Sequence, residues 1–131
     1  MKKLLLCAVL LAGLLCGCSK DEPTVGELLL GRWTWSDDQA GFAGGRYWEF
    51  RADGSGFRYD SNNGDPKIVL FVYSLDGSIL TLMNPATGDV VGLYSAHVFE
   101  KDNLALQGVG NDSNWFHRAA YKGPLPGMSD R

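Results

Sequence analysis

At 131 residues and a formal net charge of −3, the chain has room for one small domain and no more. Its acidic balance argues against nucleic acid or a polybasic membrane contact as the working partner. The three cysteines, Cys7, Cys16 and Cys18, all lie near the N-terminus, so the body of the chain has no thiol for a disulfide, a thiolate metal site or a Cys nucleophile.

Met1-Lys2-Lys3 makes a positive start, and Leu4 to Leu15 is an apolar run too short to span a bilayer core comfortably but proportioned as a secretory leader. The run ends in Leu15-Cys16-Gly17-Cys18 rather than in small residues of A-x-A type. This tetrapeptide resembles the lipobox of bacterial lipoproteins, in which an aliphatic residue and a small residue precede an essential cysteine. The resemblance implies cleavage after Gly17, so that residues 1–17 are a signal peptide. It also implies a diacylglyceryl group on the Cys18 thiol and a further acyl chain, palmitate for example, on its freed amine. Such chains add about 0.8 kcal/mol per buried CH₂, and two or three hold a protein firmly on a membrane. The alternative is a plain signal peptide with two incidental cysteines.

Loss of residues 1–17 removes two of the 12 basic residues and none of the 15 acidic ones, leaving 10 against 15. Ser19, directly after the modified cysteine, resembles the address of lipoproteins released to the outer membrane. Lys20-Asp21-Glu22 is similar to the acidic tether with which Bacteroidetes-type bacteria send lipoproteins to the cell surface, although any solvated linker reads the same way. The expectation is a lipid anchor in residues 18–25 on the bacterial outer membrane, facing the periplasm or the outside.

Thr24 is placed as an N-cap and Gly31 as a stop around Glu27-Leu28-Leu29-Leu30, which predicts one or two helical turns. Everything beyond reads as strand and turn, with Trp, Tyr, Phe, Val and Leu in short alternating segments broken by Gly, Asn and Asp. Eight strands are predicted, near 32–36, 45–51, 55–60, 67–74, 78–84, 90–99, 103–109 and 114–120. An antiparallel meander of this length closes on itself, because closure removes exposed edges. The expected fold is therefore all-β, a single small up-and-down barrel.

Two hairpins can be registered. An Asp53-Gly54 turn pairs Ala52 with Ser55, which faces Phe50 with Phe57 and Trp48 with Tyr59 on one side, and Glu49 with Arg58 on the other. An Asp76-Gly77 turn faces Tyr73 with Leu80 and Phe71 with Leu82, while Leu70, Val72, Ile79 and Met83 make the reverse face apolar too. Cover by the N-terminal helix or the tail is the expected use of that face; exposure as a contact patch is the alternative. The tail 122–131, with Pro124, Pro126 and Gly127, is expected to be flexible.

Gly31-Arg32-Trp33 resembles the G-x-W motif that opens the first strand of lipocalins. Phe50-Arg51-Ala52-Asp53-Gly54 is similar to the F-x-x-D-G hairpin of bacterial lipocalin-like lipoproteins, and Leu80-Thr81-Leu82 and Leu104-Ala105-Leu106 resemble that family's repeated L-x-L strands. Arg118 matches the late arginine that the family lays over the opening tryptophan. The resemblance covers about residues 26–121 and implies a lipocalin-like barrel in which Trp33 and Arg118 form a structural cation–π plug. It departs from larger lipocalins in its shortness and in lacking a long entrance loop.

His97 and His117 fall on separate strands without H-x-H spacing, so a metal site with Glu100 or Asp102 is not favoured. The stretch from Asp60 to Asp65 is similar to a calcium loop, but its twelfth place is Phe71 and its glycine comes one place early. No G-x-S-x-G, no thiol and no linked Ser–His–Asp set is present, and Asp37-Asp38 reads as a solvated loop. No enzyme, metal or cofactor is therefore expected. The remaining signal is aromatic: Trp35, Trp48, Phe50, Phe57, Tyr59, Phe71 and Tyr73 are assigned inward, as core filling or as the lining of an apolar pocket. The functional expectation is non-catalytic binding of a small hydrophobic ligand at the barrel mouth. The alternative is a protein-binding accessory or inhibitor that docks through the apolar outer face of the 69–83 ribbon, without a ligand cavity.

Overall fold

The computed structural model describes residues 23–42, 45–61, 66–108 and 113–128; Cys18, its leader, the charged tether and residues 62–65 of the calcium-like loop lie outside them. Helix α1 (Val25–Leu29) begins with a reciprocal capping box. The Thr24 hydroxyl accepts from the Glu27 N–H at 3.2 Å, and the Glu27 carboxylate accepts from the Thr24 N–H at 2.9 Å. No helix among the described residues is long and apolar enough to cross a membrane.

Eight strands follow: β1 (Gly31–Thr34), β2 (Arg46–Phe50), β3 (Ser55–Asp60), β4 (Lys67–Asp76), β5 (Ile79–Met83), β6 (Val90–Phe99), β7 (Asn103–Gly108) and β8 (Ser113–Arg118). They form a closed up-and-down barrel in sequence order. β1 closes against β8 through the short antiparallel pairing of Trp33 with Arg118 and Thr34 with His117. The expected fold class is therefore correct, and each strand lies close to its predicted bounds because alternation and turn residues are local signals.

The barrel is filled by side chains. Trp48 and Phe50 from β2, Phe71 from β4, Leu80 and Leu82 from β5, Leu104 and Leu106 from β7 and Phe116 from β8 form one buried cluster with Trp33 and Leu29. α1 covers one end, where the Leu29 carbonyl accepts the Trp33 indole N–H at 2.9 Å. Arg118 lies 4.0 Å above the Trp33 ring and donates to the carbonyls of Leu30, Leu28 and Lys101 at 2.6–2.8 Å. The bonds to Leu28 and Leu30 satisfy carbonyls that a five-residue helix leaves without partners at its C-terminal end, and the bond to Lys101 ties in the β6–β7 turn.

Both hairpins differ in register from the expectation, with opposite consequences. In the first, Arg51 N–H bonds the Ser55 carbonyl at 2.9 Å and Phe50 faces Gly56. The loop is thus Ala52-Asp53-Gly54, a three-residue turn ending in a left-handed glycine with φ +89°. Asp53 accepts from the Ser55 hydroxyl and N–H at 2.6 and 2.9 Å, which holds its carboxyl below the usual range. A one-residue slip turns a whole strand over: Phe57 and Tyr59 face outward, and Arg58 faces inward opposite Trp48 rather than outward opposite Glu49. In the second hairpin Asp76 faces Ile79, so the loop is Gly77-Ser78 with Gly77 at φ +63°. Glycine in the first of two loop positions is the II′ arrangement. That register differs by two residues, so Phe71, Tyr73, Leu80 and Leu82 keep their inward face.

Phe57 and Tyr59 are buried nevertheless. With Tyr47, Ala119 and Leu125 they form a second cluster outside the barrel wall, joined by Phe42, Ile68, Tyr121 and Met128. Two expectations fail here. Asp38 is buried rather than solvated, and its carboxylate accepts from the Ala120 and Tyr121 N–H groups at 3.1 and 2.9 Å. The tail, expected to be flexible, is packed over residues 122–128: Leu125 is buried, Tyr59 donates to the Pro126 carbonyl, and Arg32 donates to the carbonyls of Tyr121 and Gly123. Arg32 also pairs with Glu49 at 3.0 Å beneath it. The tail therefore covers β2–β4, and the apolar face at Leu70, Val72 and Ile79 stays exposed. Neither the tail nor α1 covers it, since α1 sits against β6.

Candidate functional site

The end of the barrel opposite α1 is built by the starts of β2 and β4 and the finish of β3. Their pairing brings Arg46 beside Asp60, Asp60 beside Lys67, and Trp48, Arg58 and Val69 into one cross-strand row. All six side chains line a cleft of about 260 Å³, with Trp35 and Tyr59 on its rim. Trp35 lies just past β1, packs 5.0 Å from Phe116 and is partly exposed.

This mouth is both aromatic and cationic. Arg46 pairs with Asp60 at 3.1 Å and lies 5.3 Å from the Trp35 ring. Arg58 lies 5.3 Å from the Trp48 ring and has no ion-pair partner among the described residues. Three cations thus face one carboxylate in a chain whose net charge is −3. The excess of positive charge in a cleft with low-dielectric walls attracts an anionic group. Guanidinium groups donate in a planar fork suited to carboxylate or phosphate, and the partly exposed Trp35, above the buried Trp48, gives the cleft an apolar wall.

Of the seven aromatic residues assigned to a pocket, the structure brings only Trp35, Trp48 and Tyr59 to this cleft. Phe50, Phe71 and Tyr73 lie deeper, packed on one another with ring centroids 5.3–6.4 Å apart. Phe57 belongs to the outer cluster under the tail. The Tyr73 hydroxyl donates to the Arg51 carbonyl at 2.7 Å, and burial, with a smaller push from Asp53, raises its pKa above the ordinary 10.0. Burial and then Tyr47 raise Tyr59 likewise.

Arg46, Arg58 and Lys67 were not read as site residues. Their signal is positional: each occupies the inward parity of its strand near the same barrel end. With Arg58 assigned to the opposite face, they cannot be seen to converge. The two histidines lie on outer faces. His97 sits beside Ser95, with Nε2 3.4 Å from its hydroxyl, and His117 Nδ1 lies 3.1 Å from the Arg118 carbonyl. No group of three His, Cys, Asp or Glu residues suited to a metal ion occurs among the described residues. Compared with family models, curated proteins and solved structures, the chain gives no match.

Proposed function

We propose that the chain is a lipid-anchored, non-catalytic binding protein of the bacterial lipocalin-like kind, tethered through Cys18 to the outer membrane. Its barrel mouth takes a small molecule with an apolar body and an acidic group. The observation that carries this reading is the cleft at the open end, where Trp35 and Trp48 stand beside Arg46, Arg58 and Lys67. Its volume of about 260 Å³ suits a ligand near the lower limit of small-molecule sites. The filled interior below it leaves the mouth, not the barrel axis, as the binding place.

The test is a calorimetric titration of the full chain with 4-phenylbutyrate and with its neutral amide. The acid is expected to bind about tenfold or more tightly, the difference that one charge-assisted hydrogen bond supplies. Arg58→Gln is expected to bring the acid down to the affinity of the amide. Equal binding of the two compounds would remove the acidic group from the reading.

A second reading is favoured by the exposure of Leu70, Val72 and Ile79, at 36–47% of their surface. It is an accessory or inhibitor role in which a protein docks on that face and no ligand enters. The same titration separates the two, because saturable binding of neither compound leaves the outer face as the working surface.

A further inference from the structure

The outer faces of β6, β7 and β8 carry a row of aromatic rings that neither core uses. Phe99 and Trp115 lie with their planes 15° apart and centroids at 6.1 Å, and His97 continues the row at 20° and 6.4 Å from Phe99. Phe99 and Trp115 stand on strands separated by β7, and His97, Ala105 and Trp115 share one cross-strand row. The small Ala105 keeps the floor between the two larger rings low. Trp115 is 64% exposed and Phe99 44% exposed. Large apolar side chains left in water contribute little to folding, so their near-parallel alignment has no stability argument behind it.

The groove beside these rings measures about 560 Å³, is fringed by Glu100, Asn103 and His117, and meets the mouth cleft at Trp35, which lines both. A carbonyl can only accept, so where His117 bonds Arg118 its Nδ1 carries a proton, and Nε2 is left for a ligand. Glu100 supplies two more acceptor oxygens and Asn103 both donors and an acceptor. Glu100 and Lys101 are consecutive non-glycine residues at φ +54° and +70°, a conformation that costs about 1 kcal/mol or more at each. Arg118 holds that turn from below: its side chain donates to the Lys101 carbonyl at 2.8 Å, and its backbone N–H donates to Asp102 at 2.8 Å. The strained turn that sets Glu100 beside the rings is therefore built in.

We propose that this face is a carbohydrate-binding site, in which a neutral pyranose ring lies on Phe99 and Trp115 and its hydroxyls bond Glu100, Asn103 and His117. A pyranose has one face of C–H groups that suits an aromatic π-surface and an equator of hydroxyls that suits paired donors and acceptors. A nucleic-acid base would also stack, but its phosphates would meet the Glu100 carboxylate on a chain of net charge −3. An aliphatic partner would leave the polar fringe unpaired. Glu100 also disfavours an acidic sugar.

The test uses the full chain in a detergent without a sugar headgroup, titrated calorimetrically with maltohexaose, cellohexaose, xylohexaose, laminarihexaose and chitohexaose. At least one is expected to bind saturably. Trp115→Ala and Phe99→Ala are each expected to weaken that binding about tenfold or more while leaving Tm unchanged, as the exposure of both rings requires. Arg58→Gln is expected to leave it intact, which keeps this site distinct from the mouth whatever the mouth binds. Failure of all five sugars to bind would overturn the proposal. So would binding that survives Trp115→Ala, or binding of single-stranded DNA with the same dependence on Trp115.

Discussion

A guanidinium offers five donors in one plane, and Arg118 directs them at the carbonyls of Leu28, Leu30 and Lys101 while its face rests on Trp33. Burial lowers its pKa, and Asp102, 3.6 Å away, opposes the shift. Lysine keeps the charge but has no planar fork to reach three separate carbonyls. Arg118→Lys is therefore expected to destabilise the barrel by about 2 kcal/mol, the scale of two or three lost hydrogen bonds, read as a lower urea midpoint. Two tyrosines set a pH limit at the same scale. Tyr59 and Tyr73 both titrate above 10.0 in the folded chain, and each hydroxyl donates to a carbonyl that a phenolate cannot serve. A raised folded value means that the stabilisation is complete below the unfolded value and is lost as pH climbs through the folded one. Urea melts are thus expected to show stability falling as pH rises above about 10. Tyr73→Phe should flatten part of that fall.

At the scale of the element, the two hairpins show how far a local pattern carries. Both turns are visible as Asp-Gly pairs, yet neither closes on the residues that pair suggests. A three-residue loop at 52–54 and a Gly-Ser loop at 77–78 were chosen instead. The choice in the first hairpin follows from packing. Gly56 faces inward beneath Phe71, where an added Cβ would lie 2.3 Å from the Glu49 carbonyl and 2.5 Å from the Phe71 ring. Only that register sets a residue without a side chain against the ring. Gly56→Ala is expected to cost about 1–3 kcal/mol through displacement of the Glu49 backbone and of Phe71, measurable by urea denaturation. An unchanged midpoint would mean that both the strand backbone and the ring have room to move. The period of two is legible in β3, but which parity faces in is a property of the pair. For that reason Phe57, Tyr59 and Arg58 were assigned to the wrong faces while Trp48, Phe50 and Phe71 were not.

On the scale of the whole molecule, the outer surface divides into three faces with different fates. The tail and the 36–42 loop cover β2–β4 with a second aromatic cluster, the aliphatic face around Leu70, Val72 and Ile79 is open, and the face around Phe99 and Trp115 is open and aromatic. An anchor at Cys18, only a few residues before α1, would hold all of this close to a membrane. Cys18→Ser is expected to move the protein from the membrane fraction to the soluble one and to abolish incorporation of labelled palmitate, since acyl chains and not a spanning helix would supply the affinity. Retention of Cys18→Ser on membranes would instead point to the aliphatic face as a second attachment.

Strand number, strand bounds, the capped helical turn and the closed meander were decided by the sequence itself. Capping boxes, period-two alternation and turn residues act between neighbours a few positions apart, and edges left open in a meander favour closure. The tertiary structure alone decided what meets across the barrel. Arg46, Arg58 and Lys67 converge only once β2, β3 and β4 take their registers. Asp38 becomes buried only when the tail returns over it, and the Phe99–Trp115 row exists only because β6 and β8 both pair with β7. Register and closure are long-range choices settled by packing, so the residues of the two candidate sites leave the weakest local trace.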